Sequence, residues 1–201
     1  HRDLEPPARD GEHDRGLHEP DEPTLQQLQQ QFNLHDLAIE DAHNAHQRPK
    51  IEMYGDTLFA VLRTAQINKT TGHTDFGETH FFVGQNFLVT IRHGSTIAYT
   101  DVRTRCESTP HLLKKGQGFA LYAVMDSIVD QYFPVVEAME EKLQRIEEKV
   151  FKDKPSRQTT EDIYQLKREL LDIKRAVSPL IDIANRLMRF DITLISEETQ
   201  P

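Results

Sequence analysis

Two stretches decide the architecture: GFALYAVMDSIVDQYFPVVEAMEEKLQRIEEKVF at residues 118–151 and DIYQLKRELLDIKRAVSPLIDIANRLMRF at residues 162–190. In the first, Val129, Tyr132, Val136, Met139, Leu143, Ile146 and Val150 step alternately by 3 and 4 residues. A polar break at 153–160, containing Pro155, follows. The rhythm then resumes through Ile163, Leu166, Leu170, Ile173, Val177, Leu180, Ala184 and Leu187. Side chains at that spacing share one stripe of a helix. Two stripes joined by a short break predict two long helices packed antiparallel over 119–190. At about 1.5 Å per residue the second would be roughly 45 Å long. Pro134 and Pro179 each remove a backbone donor, so each is expected to kink its helix or mark a joint.

Upstream the period changes. Thr24-x-x-Gln27 has capping-box spacing ahead of Leu25, Leu28 and Phe32, and a second short helix is expected from Asp36 to about Ala45, ended by Pro49. Residues 57–62, TLFAVL, read as a buried strand, and 68–72 as a turn. Residues 79–83 and 87–91 read as strands joined through Gly84-Gln85-Asn86. Ser95 is placed to cap a helix reaching about Cys106, and Pro110 closes that region. The fold class predicted is α+β: a small α/β domain with a largely antiparallel sheet at 24–110, then a long antiparallel helical hairpin over 111–201. Residues 1–23, with four prolines and eight acids, are expected to form a loosely ordered acidic lead-in.

Composition narrows the function. The 201 residues hold 33 acids and 24 bases, a net charge of -9, and residues 1–24 alone carry -5 of it. Such a balance disfavours nucleic acid, which demands a basic stripe, and suits cations. The lone Cys106 excludes an internal disulfide framework and a Cys-rich zinc site. The longest run without Asp, Glu, Lys or Arg is thirteen residues, 79–91, whereas a membrane span needs about twenty. With no signal-peptide pattern at its start, the chain is expected to be soluble and cytosolic.

Three constellations carry candidate chemistry. Glu40, His43 and His46, beside Asp41, have spacing that could bring metal ligands onto one helical face. The plainer reading is a wet helix face, because His46 falls where the helix should already be ending. Asp126 and Asp130 lie four apart on the first long helix; like charges there repel unless water or a cation screens them, and a solvated face is the plain alternative. Arg48-Pro-Lys50 and Lys114-Lys115 are too few for a nucleic-acid patch and read as surface or interface charges. No phosphate loop or nucleophile-base order is present, so a binding or structural role is expected rather than an enzyme.

The segment LAIEDAHNAHQRPKIEMYGDTLFAVLR, residues 37–63, resembles the cytoplasmic domain of the CorA family of divalent-cation channels. The likeness continues through THFFVGQNFLVTI, YAVMDSIVDQYFPVVEAMEEKLQRIEEKVF and LKRELLDIKRAVSPL, over roughly residues 34–190. Asp36 stands where proline is common in the family. The resemblance implies a homopentamer with a cytosolic α/β domain, a funnel of long helices, and two C-terminal membrane helices whose pore entrance carries Gly-Met-Asn. Neither that motif nor a span occurs here. The chain therefore resembles the part on the cytoplasmic side of the inner membrane, starting late among the family's first strands. The family's regulatory cation sites lie between subunits. Glu40 and Asp41 match its acidic pair, and Asp126 matches the acid on the first long helix, while Asp130 is expected to be structural. Mg²⁺ or Co²⁺ is the implied ion, since hard cations take carboxylate oxygen. Zn²⁺ stays open through the related ZntB-type branch, as does a non-transporting scaffold.

Overall fold

The computed structural model describes residues 13–94, 98–109, 111, 116–152 and 156–188. Its centre is a five-stranded sheet in the order β1-β5-β4-β3-β2, with β1 at His13–His18, β2 at Lys50–Tyr54, β3 at Thr57–Ile67, β4 at Thr74–Gly84 and β5 at Phe87–His93. Strands β2 to β5 form an antiparallel meander, and β1 joins its edge parallel to β5. The run at 57–62 is apolar throughout because β3 is buried on both faces. Phe59 and Val61 point to one layer, and Leu58, Ala60 and Leu62 to the other.

The first layer is made by α1 (Glu22–Phe32) and α2 (Asp36–His43), whose Leu25, Leu28, Ala38 and Ala42 cover Phe59, Phe82, Val89 and Ile91. The opposite layer is made by α3 (Thr100–Glu107), α4 (Gln117–Asp130), α5 (Tyr132–Lys152) and α6 (Arg157–Met188). Turn chemistry is local. Asn68 Oδ1 accepts the N–H groups of Thr70 and Thr71, and Gly72 takes φ 68°. At Gly84 a Cβ would collide with the Phe87 ring, so the β4–β5 hairpin needs glycine for close approach.

Several expectations are corrected. The lead-in, expected to be loosely ordered through residue 23, contains β1, which the sheet edge orders by backbone pairing; residues 1–12 lie outside the described set. Asp21, not Thr24, caps α1: its carboxylate accepts the Thr24 N–H at 3.1 Å, and the helix starts at Glu22 with Pro23 in its first turn. Helix α2 starts at Asp36 as expected, capped by His35 through Nδ1 accepting the Leu37 N–H at 3.2 Å, but it ends at His43, two residues before Ala45. Ser95 lies outside the described residues, and α3 begins only at Thr100, without a side-chain cap. Pro134 marks a joint, as expected: the first long helix is two, α4 and α5, meeting at Gln131 with Pro134 in the opening turn of α5, where its missing N–H costs nothing. Helix α6 continues through Pro179 to Met188.

Helices α5 and α6 are antiparallel: Lys142 meets Glu169 at 2.7 Å and Lys149 meets Asp162 at 2.8 Å, seven residues forward on one matching seven back on the other. Only part of each predicted stripe is buried, three of seven residues on the first and two of eight on the second. Tyr132, Met139, Ile146, Leu166 and Ile173 are inside, whereas Val136, Leu143, Ile163 and Leu170 are exposed. The hairpin also packs on the sheet, which rotates the buried column toward β3. On α6 that column continues through Glu169, Ala176 and Ile183, each one position before the residue the stripe named. The exposed parts line an open apolar groove of about 950 Å³.

Candidate cation site

Helix α2 carries Glu40 and Asp41, and its placement begins with the residues that fasten it. Ala42 is fully buried against the sheet. Its carbonyl accepts from His93 Nε2 at 2.9 Å, while His93 Nδ1 contacts Glu19 Oε2 at 3.0 Å. After the helix, His46 turns through φ 75° and its N–H donates to buried Glu78, which also holds the His80 ring at 2.9 Å. The end of α2 and the connection that follows it are thus tied to strands β5 and β4. Burial works to raise the Glu19 carboxyl, but donation from Gly94 and the His93 ring outweigh it, leaving Glu19 below its ordinary value.

These ties put Asp41 beside the first residue of β2. Asp41 Oδ2 lies 2.6 Å from Lys50 Nζ, and the same ammonium lies 3.0 Å from Glu52 Oε2, which accepts the Tyr54 hydroxyl at 2.8 Å. Lys50, Glu52 and Tyr54 alternate along one face of β2, which is why they meet. Burial favours losing the Lys50 proton, yet its two carboxylate partners win and raise its pKa. Burial likewise opposes ionisation of Glu52, and its bonds to Lys50 and Tyr54 prevail, holding it low. Arg186, in the last turn of α6, bonds the Ile51 carbonyl and adds a further positive charge near Glu52.

Glu40 stands on the exposed face of α2, at a shallow depression of about 250 Å³ shared with Glu22, Gln29, Asp36 and His43. Asp126 lies apart, on α4, with Arg105 of α3 at 3.6 Å. Glu40 and Asp41 are neighbours on α2 but meet different surroundings, and Asp126 is on another element. His46, beyond the end of α2, shares no helical face with Glu40 and His43, and among the described residues no group of three or more His, Cys, Asp or Glu side chains could hold a metal. Carboxylate oxygens with partial exposure suit a hard divalent ion. Two of these three already have a cationic side chain against them. Lys50, read from sequence as a surface or interface charge, makes a contact with Asp41 and Glu52 that the sequence did not reveal. A partial signal was the alternation Lys50-x-Glu52-x-Tyr54 ahead of Gly55, which marks a strand.

A five-stranded sheet covered by helices on both faces and continued by a long helical hairpin defines an α+β domain. Comparison with known proteins places it. The profile of the CorA-like Mg²⁺ transporter protein family matches residues 16–201, and the chain belongs to that family. It is similar to YfjQ of Bacillus subtilis (strain 168), 34% identical over 172 residues, covering 84% of this chain and 51% of that protein. It is also similar to the cobalt/magnesium transport protein CorA of Thermotoga maritima, 28% identical over 187 residues, covering 92% of this chain and 52% of that one. The chain spans about half the length of these curated relatives. The soluble domain of CorA from Methanocaldococcus jannaschii shares the fold with a TM-score of 0.76 at 17% identity, covering 93% of this chain and 74% of that one. The cytoplasmic domain of ZntB from Vibrio parahaemolyticus shares it at 0.66 and 15%, covering 92% and 72%. Among the described residues, no helix is long and apolar enough to cross a membrane.

Proposed function

We propose that this chain is the cation-sensing part of a CorA-type magnesium or cobalt transporter, held on the cytoplasmic side of the cell membrane and assembling as a homopentamer. Glu40, Asp41 and Asp126 each supply part of a regulatory Mg²⁺ or Co²⁺ site completed by a neighbouring subunit. No catalytic step is assigned to it. The observation that carries the reading is that Asp41 and Asp126, on separate surfaces, are partly exposed carboxylates already contacted by Lys50 and Arg105. A carboxylate that holds a cation in the single chain is electrostatically suited to hold one between chains. With an ion bound, facing acids are bridged; without it they repel, and subunits shift. Zinc, the alternative, finds no cluster among the described residues, where His80, His93, His35 and His73 are engaged in internal bonds.

The test is a Mg²⁺ and Co²⁺ titration of melting temperature on the parent and on the Asp41→Ala/Asp126→Ala double variant. Part-built carboxylate sites should bind in the millimolar range and stabilise the parent by about 1.4 kcal/mol at ten times the dissociation constant. An equal gain in the double variant would show that these acids are only a solvated face.

A further inference from the structure

We infer that Lys50 is a built-in occupant of the Asp41 site, a tethered cation that a divalent ion displaces and a monovalent ion does not. The inference rests on the cation-sensing reading above and adds what sets its selectivity. Lys50 Nζ lies 2.6 Å from Asp41 and 3.0 Å from Glu52, so one ammonium is shared by two carboxylates on different elements, α2 and β2. It also sits over the Phe59 ring, 5.7 Å from the centroid. Tyr54 donates to the far carboxylate and fixes it in place.

Two consequences follow from this geometry. An ion that takes Asp41 leaves Lys50 paired with Glu52, so exchange strands no ammonium without a counter-charge. The tether also keeps the ammonium at high effective concentration. Potassium or sodium brings no more charge than Lys50 and must compete with a cation that never diffuses away. A divalent ion brings twice the charge and can win. Lys50 therefore discriminates by charge and sets the concentration at which Asp41 becomes available.

The experiment follows Mg²⁺ and K⁺ titrations of the full chain by NMR, reading the Asp41 backbone amide and the Lys50 side-chain ammonium signal. In the parent, Mg²⁺ should move both signals with one dissociation constant, and K⁺ should move neither. Lys50→Met should tighten Mg²⁺ about threefold or more and let K⁺ compete, a change of the size an exposed ion pair carries. The variant Lys50→Met/Glu52→Gln keeps the net charge of the parent. It should also bind Mg²⁺ more tightly, whereas a general electrostatic effect would leave it unchanged. Asp41→Asn separates the two levels of the reading. If it titrates like the parent, the cation site itself is misassigned. If it loses the response while the charge-balanced variant binds no better than the parent, or the Lys50 signal stays still under Mg²⁺, the site stands and the role of Lys50 is overturned. Should Lys50→Met fail to fold, the ammonium signal of the parent still decides.

Discussion

Glu169 shows how one residue can contradict the pattern around it. It lies on the predicted apolar stripe's flank, yet it is buried, while the adjacent Leu170 is half exposed. Its carboxylate accepts from Lys142 on α5 at 2.7 Å, from His73 on the β3–β4 turn at 2.9 Å, and from Gln165 at 3.1 Å. Burial pushes this carboxyl up, but the three donors more than offset it and hold it below the ordinary value of 4.5. A folded value below the unfolded one means stability that is present above pH 4.5 and lost as pH falls through the folded value. Glu169→Gln should therefore destabilise the chain by about 1–3 kcal/mol at neutral pH. At about pH 3.5 the difference from the parent should shrink, because the parent is losing the same charge. Urea melts at the two pH values check this; an undiminished difference would mean the glutamate acts through shape and not through charge.

At the scale of elements, the hairpin was legible as two long helices but not in which face each turns inward. A 3-4 stripe reports that one side is apolar. It does not report that the sheet, as well as the partner helix, competes for that side. Hence Leu166 and Ile173 are read correctly, while Leu170 and Leu143 are placed in a seam they do not fill. Ile173→Asp should place a charge among buried apolar groups and cost about 3 kcal/mol or more, whereas Leu170→Asp, facing the open groove, should stay within about 1 kcal/mol. Denaturant midpoints of the two variants decide between this arrangement and a fully buried seam. The strands tell a similar story. The doubly buried run in β3 and the glycine hairpin at 84–86 announce themselves by composition. Strand β2 was missed because its side chains are half polar, and β1 because its ladder is supplied by a distant partner strand.

For the whole molecule, the site is legible to a lesser degree than the fold. Glu40, Asp41 and Asp126 were singled out through resemblance, and spacing alone could not separate them from a wet surface. What no pattern revealed is that Asp41 and Asp126 each meet a base from another element, since Lys50 and Arg105 are 9 and 21 residues away in sequence. The Mg²⁺ dependence of melting and its loss in the double variant test these acids at this scale.

The edge strand also imposes an order of events. Pairing His13 with Phe87 closes a loop of about 70 residues, and a parallel ladder gives no reward until that loop is shut. The meander of β2 to β5 closes with short turns, so β1 should dock last, onto a surface already built. Leu17, buried against α1 and the sheet, reports on that step. Leu17→Ala should speed unfolding and leave the folding rate nearly unchanged, as expected for contacts absent from the transition state. Stopped-flow chevrons would show it directly, and a slowed folding limb would make β1 part of the nucleus. If β1 does close last, it should also be the first part of the sheet to open, and its amides should exchange with solvent before those of β3 and β4.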